Sequence, residues 1–246
     1  MAKVDRERSG VLSTALRHTM FLDDPRIVRT LRTSHLNFAR LKHEPISVYL
    51  VLPADKLAAY GRFARATLGL IIRALTRRHG RPESDVVLLL DELSKLGRFA
   101  AVEDSIFILR GYGVCLWLLV QDLSQLQGVY PMWRTFLANA TLQAFGTQNL
   151  QTARYISEVL GNQTIQAHSE SRTRSSSLSA PDTECRTSNP HGRPLLTSDE
   201  VRRLDSSLAI VVGQGLPPHL LQRLDYRIEE NMRRRARENP MHRSIK

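Results

Sequence analysis

The pattern of hydrophobic and polar positions predicts strands that alternate with helices along the chain. Two continuous apolar runs, Val86–Leu90 and residues 114–120, are typical of strands buried in a parallel sheet. Between residues 54 and 79, apolar side chains recur at every third or fourth position, which predicts an amphipathic helix that ends at Gly80. This order of elements favours an α/β fold.

Shorter patterns extend this order on both sides. Leu12, Leu16 and Met20 have the four-residue spacing of a helix, and Asp24 before Pro25 is typical of a helix start. The remaining predicted elements are strands over residues 46–52, 141–145 and 208–212, a helix from residue 93 to about residue 109, and helices over residues 124–128, 132–137, 150–160 and 198–204. Together they predict a mainly parallel sheet with flanking helices.

One α/β domain, interrupted by a polar segment, accounts for most of the sequence. Its core is predicted over residues 1–165. Residues 166–194 are polar, rich in serine and without periodicity, which predicts a flexible loop or an insertion. The final helix and strand of the same domain are expected over residues 195–230, and residues 231–246 form a basic tail.

Charge is distributed unevenly along the 246 residues, which carry 35 Lys and Arg against 24 Asp and Glu for a net charge of +11. Residues 53–82 hold seven basic residues and one acidic residue, whereas residues 83–166 hold five basic and eight acidic residues. A positive surface around an acidic centre is typical of a protein that faces a polyanion and uses carboxylates in its chemistry. Solvated, charged helix faces are the alternative explanation.

Several kinds of protein and site are excluded by features that the sequence lacks. Two cysteines cannot form a disulfide framework, the His and Cys residues lack zinc-site spacing, and no apolar run approaches the ~20 residues of a membrane span. The chain is therefore expected to be soluble and to lie in a reducing, cytosolic compartment. The phosphate-binding motif G-x-x-x-x-G-K-[ST] is also absent.

The strongest candidate site follows the apolar run Val86–Leu90, which ends directly in Asp91 and Glu92. An acid at the carboxyl end of a buried strand holds Mg²⁺, directly or through water, in phosphate-cleaving sites. A second carboxylate beside it can orient and deprotonate the attacking water, and the pair has the Walker B pattern. The alternative is a strand that leaves the core with Asp91 as the cap of the next helix.

Two further residues extend this candidate site. Gln121 ends the next apolar run, so its amide lies at the same sheet edge as Asp91 if the strands are neighbours, where it can sense a γ-phosphate or position water. Arg110 precedes a glycine-flexed turn and can reach a neighbouring subunit's nucleotide. The alternatives are an amide in ordinary hydrogen bonds at a helix start, and a surface arginine that complements a helix C-terminus.

Several sequence blocks, in order and spacing, resemble the conjugative coupling proteins of type IV secretion systems, the TraG/TraD class. The blocks are LLLDELSKLGRF at 88–99, LRGYGVCLWLLVQDLSQLQGVYP at 109–131, FLANATLQAFGTQNLQTARYISEVLGNQT at 136–164, SGVLSTALRHTMFLDDPRIV at 9–28, ISVYLVLPADKL at 46–57 and RPLLTSDEVRRL at 193–204. The resemblance covers residues 9 to 228, with the serine-rich segment as its loosest part. Several blocks in order are more specific than a single motif.

The resemblance implies a RecA-like, three-layer P-loop NTPase-type domain that uses ATP and Mg²⁺. Members of the family form hexamers at the cytoplasmic face of the bacterial inner membrane, where they link single-stranded DNA and its relaxase, within the relaxosome, to inner-membrane components of the secretion channel. By this resemblance Asp91 and Glu92 are the Walker B pair, Gln121 is the glutamine of the next motif, and Arg110 is a trans-acting arginine finger.

The chain departs from the family pattern in lacking the Walker A loop, the N-terminal membrane anchor and the all-α insertion. It therefore resembles the C-terminal portion of a coupling ATPase, and we expect it to bind ATP poorly by itself. Two alternatives are a non-catalytic fragment that binds DNA or relaxase, and a decayed remnant without activity.

Overall fold

The computed structural model describes residues 2–34, 36–77, 82, 84–173 and 183–237. The chain divides into two units, Met1–Ala138, called unit 1, and Asn139–Lys246, called unit 2. This boundary falls inside the domain core that the sequence pattern predicted over residues 1–165. None of the described helices is both long and apolar enough to cross a membrane.

Unit 1 combines helices with one pair of parallel strands. Its described helices are α1 (Ala2–Thr19), α2 (Pro25–Leu31), α3 (Leu57–Thr76), α4 (Ala100–Ser105), α5 (Leu123–Val129) and α6 (Trp133–Ala138). The strands are β1 (Val86–Leu90) and β2 (Val114–Leu118). The predicted α/β order is therefore present in this unit.

Helices α2 and α3 are joined by a small polar cluster above an apolar contact. The Asp24 side chain caps α2 by accepting a hydrogen bond from the Arg26 backbone N–H at 2.8 Å. The Arg26 guanidinium also donates to the Tyr60 hydroxyl of α3 at 2.8 Å. Below this cluster, Ile27 packs with Tyr60 and Phe63. The predicted helix start at Asp24–Pro25 is confirmed.

Helix α3 is amphipathic, as its apolar spacing predicted. Buried residues repeat along one face at Tyr60, Phe63, Ala64, Ile71, Ile72 and Leu75. The helix ends at Thr76 with Arg77 as its C-cap, and the predicted stop at Gly80 lies outside the described residues.

Strands β1 and β2 pair in parallel with Val86 opposite Val114 and Leu90 opposite Leu118. One face of this pair is buried. On the other face Leu89 and Trp117, which lie opposite each other, are 56% and 54% exposed. Because the apolar run predicted a strand buried on both faces, this open face is a difference between sequence pattern and structure.

Two elements predicted in unit 1 are wrong. Residues 46–52 form no strand, and their backbone has no ladder partner among the described residues. The helix expected from residue 93 to residue 109 is divided into the 3₁₀ turn Leu93–Leu96, α4 and the 3₁₀ turn Leu109–Tyr112. The break falls at Gly97, whose φ of 71° lies outside the helical region.

Unit 2 contains a three-stranded antiparallel sheet in the order β3 (Leu142–Ala144), β6 (Leu208–Val212) and β7 (His219–Gln222). Its described helices are α7 (Leu150–Leu160), α8 (Ser198–Arg202) and α9 (Glu230–Arg233). Side chains of β3, α7, α8 and β6 close one hydrophobic core: Ala144, Ala153, Ile156, Leu160, Val201 and Ile210.

The segment predicted as an irregular flexible loop instead begins and ends in paired strands. β4 (Asn162–Thr173) and β5 (Thr183–Pro194) form an antiparallel hairpin with Asn162 opposite Pro194. Residues 174–182 and the end of the predicted basic tail, 238–246, lie outside the described residues. The polar sequence has no apolar alternation and therefore predicted a loop, whereas the pairing of two strands needs only backbone groups.

Candidate functional site

The candidate site of unit 1 lies at the carboxyl edge of the parallel pair β1–β2. The two strands are neighbours, as the site prediction required, and their chains leave the sheet side by side. The Leu119 N–H donates to the Leu90 carbonyl at 3.0 Å, and the Leu93 N–H donates to the Leu119 carbonyl at 3.4 Å. The residues that follow the two strands are therefore held against each other.

Glu92 is the centre of the polar contacts at this edge. Its Oε1 accepts a hydrogen bond from the Gln121 amide nitrogen at 3.1 Å, and its Oε2 lies 2.5 Å from the Lys95 ammonium. The hydrogen bond from Lys95 lowers the pKa of Glu92, with a smaller contribution in the same direction from Gln121, while partial burial opposes both. The carboxylate is therefore ionised at neutral pH.

A second amide fixes Gln121 in turn. The Gln125 amide nitrogen donates to the Gln121 Oε1 at 3.0 Å, and the Ser94 hydroxyl donates to the Gln125 Oε1 at 3.0 Å. Helix α5 positions Gln125, because the Asp122 carboxylate caps this helix by accepting from the Gln125 backbone N–H at 3.0 Å. The chain of contacts orients the Gln121 amide so that its nitrogen points to Glu92.

The backbone at Glu92 is left-handed, with φ 49° and ψ 44°. Among the described residues it is the one non-glycine position with a positive φ. For a residue with a Cβ this conformation costs about 1–2 kcal/mol, and such strain is concentrated at functional sites. The sharp turn directs the Glu92 side chain across the sheet edge to Gln121.

Asp91 is exposed at the end of β1 and does not cap a helix. The 3₁₀ turn after it has Glu92 at the N-cap position, without a side-chain cap hydrogen bond. Mg²⁺ in nucleotide sites is commonly bound by one or two carboxylates, waters and substrate phosphates. An exposed carboxylate at this edge fits that role. No three His, Cys, Asp or Glu side chains of the described ranges group around a metal position.

Arg110 is not brought to the same edge. It lies exposed in the 3₁₀ turn Leu109–Tyr112, before β2, whereas Gln121 follows β2. The five residues of β2 separate the two positions by roughly 13 Å or more, since a strand rises about 3.3 Å per residue. Within one chain the structure therefore assembles Asp91, Glu92 and Gln121, but not Arg110.

Three residues contribute to this site that were not predicted from the sequence: Ser94, Lys95 and Gln125. The available signal was spacing, because Lys95 follows Glu92 by three residues and Gln125 follows Gln121 by four. Side chains at these separations are neighbours on a helical turn.

Comparison with known proteins shows which family the chain belongs to. Residues 1–245 match the family model described as type IV secretory system conjugative DNA transfer. Protein VirD4 of Rhizobium rhizogenes is 31% identical over 216 residues, which are 86% of this chain and 32% of that protein. Conjugal transfer protein TraG of Escherichia coli is 27% identical over 218 residues, 83% of this chain and 34% of TraG. The chain thus spans about a third of the length of these relatives.

Solved structures of the plasmid coupling protein TrwB have the same fold. The unbound monoclinic form of TrwBdeltaN70 superposes with a TM-score of 0.61 at 17% identity, over 78% of this chain and 44% of that one. TrwB in complex with ADP and Mg²⁺ gives a TM-score of 0.60 at 17% identity, with the same coverage. These similarities confirm the α/β, RecA-like fold class expected from the sequence.

Proposed function

Because the chain belongs to the type IV secretory system conjugative DNA transfer family, we propose that it forms the Walker B part of a coupling ATPase for conjugation. The observation that supports this proposal best is the ionised Glu92 carboxylate, which Gln121 and Lys95 hold at the carboxyl edge of a parallel strand pair, directly after Asp91.

The three residues at this edge take different roles in the proposal. Asp91 holds Mg²⁺, directly or through water, and the ion supplies charge neutralisation to the phosphates when it is bound. Glu92 orients the attacking water and accepts its proton, which requires the ionised carboxylate that the Lys95 hydrogen bond favours. Gln121 holds Glu92 in place and senses the terminal phosphate.

Arg110 acts in trans in this proposal. Its position at the opposite edge of β1–β2 keeps it away from Glu92 of its own chain, and its exposure leaves the guanidinium available to a neighbouring copy in a ring. The proposed assembly is a homo-hexamer at the cytoplasmic face of the inner membrane. Its partners are single-stranded DNA, a relaxase and the inner-membrane components of the secretion system.

Complementation of ATP hydrolysis tests the proposal. The chain alone is expected to show no measurable phosphate release, because its sequence lacks the P-loop motif. Addition of the P-loop-bearing part of a coupling protein should restore hydrolysis, and Glu92→Gln should lower the restored rate by about 10²–10⁴-fold. The same substitution at the exposed Glu158 of α7 serves as the matched control and should leave the rate unchanged.

Two results would contradict the assignment. Rapid hydrolysis by the chain alone, lost in Glu92→Gln, would show that no added P-loop is needed. Full restored activity in Glu92→Gln would remove this residue from the chemistry. A chain that neither complements hydrolysis nor binds DNA would instead be the decayed remnant.

A non-catalytic fragment that binds DNA or relaxase is the second candidate function. The observation that favours DNA is a pair of exposed arginines on α3, Arg73 and Arg77, which line a surface groove.

A further inference from the structure

A groove of about 580 Å³ lies between the C-terminal half of α3 and residues 34–38. Its lining residues are Ser34, Leu36, Asn37, Phe38, Leu70, Arg73, Ala74 and Arg77. The groove is distinct from the carboxyl edge of β1–β2, since none of Asp91, Glu92 and Gln121 lines it. It combines two cations, two polar side chains and an apolar wall.

Several arginines of unit 1 have partners, whereas the two arginines of the groove, like the exposed Arg29, Arg32 and Arg110, have none within the described residues. Arg26, Arg40 and Arg98 pair with Asp24, Glu44 and Glu103, respectively. Arg62 and Arg65 donate to the backbone carbonyls of Arg17 and Leu96. Arg73 and Arg77 are exposed, and among the described residues their side chains make no ion pair or hydrogen bond.

The spacing of these two arginines suits a ligand that carries successive negative charges along its length. Residues four apart lie about 6 Å from each other on the same side of a helix, so the Arg73 and Arg77 guanidiniums emerge on one side of α3. Arg73 lies in the last turn of the helix and Arg77 is its C-cap, where the negative end of the helix dipole favours cations. The helix therefore keeps two adjacent guanidiniums at the groove without any acidic side chain.

The opposite wall is fixed and offers a further donor. The Asn37 Oδ1 accepts from the Ala39 backbone N–H at 3.0 Å, and the amide nitrogen makes no hydrogen bond within the described residues. The 3₁₀ turn that follows is held by the ion pair of Arg40 with Glu44 at 2.5 Å, and by the Lys42 ammonium 5.4 Å from the centre of the Tyr112 ring. The wall is thus formed before any ligand binds.

Apolar and aromatic surface lies beside the two cations. Leu70 is 59% exposed on α3, and Leu36 and Phe38 are half-buried on the opposite wall. Guanidiniums bind phosphate oxygens in a forked geometry, and aromatic rings stack on unpaired bases. An acidic peptide would use the arginines but would leave the Phe38 ring without a matching group.

We propose that this groove binds single-stranded nucleic acid, with two successive phosphates at Arg73 and Arg77 and a base against Phe38. The inference rests on the proposed role in DNA transfer and assigns the strand a position on this chain. The groove shares no lining residue with the carboxyl edge of β1–β2.

Fluorescence anisotropy with a labelled single-stranded oligodeoxynucleotide tests the proposal on the full chain. The double variant Arg73→Gln and Arg77→Gln should weaken binding about tenfold or more, and should lower the slope of log affinity against log salt by about 1.4, since each phosphate contact on a single strand contributes about 0.7. Arg154→Gln with Arg203→Gln, which removes two exposed arginines of unit 2, is the matched control and should change neither quantity.

Two further variants separate charge from stacking. Arg73→Lys with Arg77→Lys keeps both charges and should retain most of the affinity, which excludes a folding defect in the groove. Phe38→Leu keeps the apolar volume but removes the ring, and should weaken binding several-fold without a change of salt slope.

Three outcomes would overturn the proposal. Unchanged binding in the glutamine double variant would remove the groove from DNA recognition, and an equal loss in the unit 2 control would indicate diffuse charge. Competition by poly-glutamate as strong as that by the oligonucleotide, with Phe38→Leu unaffected, would identify an acidic-peptide site instead. Complementation of hydrolysis by the glutamine double variant is measured in parallel, so that loss of the groove and loss of the ATPase role are distinguished.

Discussion

The β3–β6–β7 sheet of unit 2 and the β1–β2 sheet of unit 1 bury their apolar side chains in different ways. In unit 2, Ala144 and Ile210 pack under α7 and α8, and Ile210 is 2% exposed. In unit 1 only one face of the parallel pair is covered, and Val87, Leu89 and Trp117 remain more than half exposed on the other. Parallel strands are normally covered on both faces.

This difference shows what holds the candidate site in place. Glu92 and Gln121 lie at the edge of a sheet with one open face, so they are positioned by their own hydrogen bonds and by α5 rather than by a closed two-sided core. A contiguous apolar face of this kind is typical of a surface that packs against further protein. The chain also spans only about a third of the length of VirD4 and TraG.

The largest expected effect is the loss of unfolding free energy when one apolar side chain is shortened in each of the two sheets. Ile210→Ala removes a buried side chain from the unit 2 core and should lower the free energy of unfolding of that unit by about 2–5 kcal/mol. Leu89→Ala removes a side chain of similar size from the open face and should cost less than about 1 kcal/mol. Chemical denaturation followed by far-ultraviolet circular dichroism measures both values.

Tryptophan fluorescence reports the unfolding of unit 1, because Trp117 and Trp133 both lie in that unit. A transition seen by circular dichroism but not by fluorescence therefore belongs to unit 2. A loss for Leu89→Ala as large as the loss for Ile210→Ala would show that the face of β1–β2 is covered in solution. The comparison between the two units would then fail.

A second prediction tests whether the interior of unit 1 around Tyr130 is a closed core. Tyr130 is fully buried against Phe136, and burial raises the pKa of its hydroxyl to about 12. The unfolded chain has the lower pKa, so the stabilisation is present below about pH 10 and is lost as the pH rises towards 12. The loss should approach about 3 kcal/mol, since the pKa rises by about two units and one unit corresponds to about 1.4 kcal/mol.

Tyr130→Phe cannot ionise at this position and is the reference for that measurement. The difference in free energy of unfolding between the natural chain and Tyr130→Phe should be constant up to about pH 10. Above that pH the natural chain should lose stability relative to Tyr130→Phe. A flat difference through the alkaline range would mean that water reaches Tyr130, and that this part of unit 1 is not a closed core.

Several elements could be predicted from the sequence to the residue because their signals are local. Val86–Leu90 is a continuous apolar run, Leu208–Val212 is another, and Leu150–Leu160 begins after the Asn149 cap and ends at Gly161. The strand over residues 46–52 was wrong because a strand requires a partner, and a run of apolar residues does not specify one.

The candidate site could be predicted only as far as topology determines it. Parallel neighbours end at the same edge, which was sufficient to bring Asp91 and Gln121 together and to separate Arg110 from them. The ion pair of Lys95 is made with a glutamate whose backbone is left-handed, and residue preference argues against that conformation for glutamate. Sequence patterns therefore predict where the site lies but not how its side chains are held.

The smallest expected effect concerns this left-handed backbone, where the two units also differ. In unit 2 the described positive φ angles belong to Gly161 and Gly215, whereas in unit 1 Glu92 adopts one at φ 49° despite its side chain. Glu92→Gly should therefore be more stable than Glu92→Ala by about 1 kcal/mol, because both variants lose the Lys95 ion pair but only glycine relieves the backbone.

In unit 2 the substitution Gly161→Ala is expected to lower the free energy of unfolding, because it places a Cβ where the backbone requires glycine. Gly161 has φ 75° and ψ −164°, a region that is essentially restricted to glycine, and a Cβ there would meet no atom within 4 Å. Its destabilisation, about 1 kcal/mol or more, would therefore come from the backbone alone. If Glu92→Gly and Glu92→Ala were equally stable by denaturation, Glu92 would carry no strain, and the turn at the candidate site would be no more constrained than the rest of unit 1.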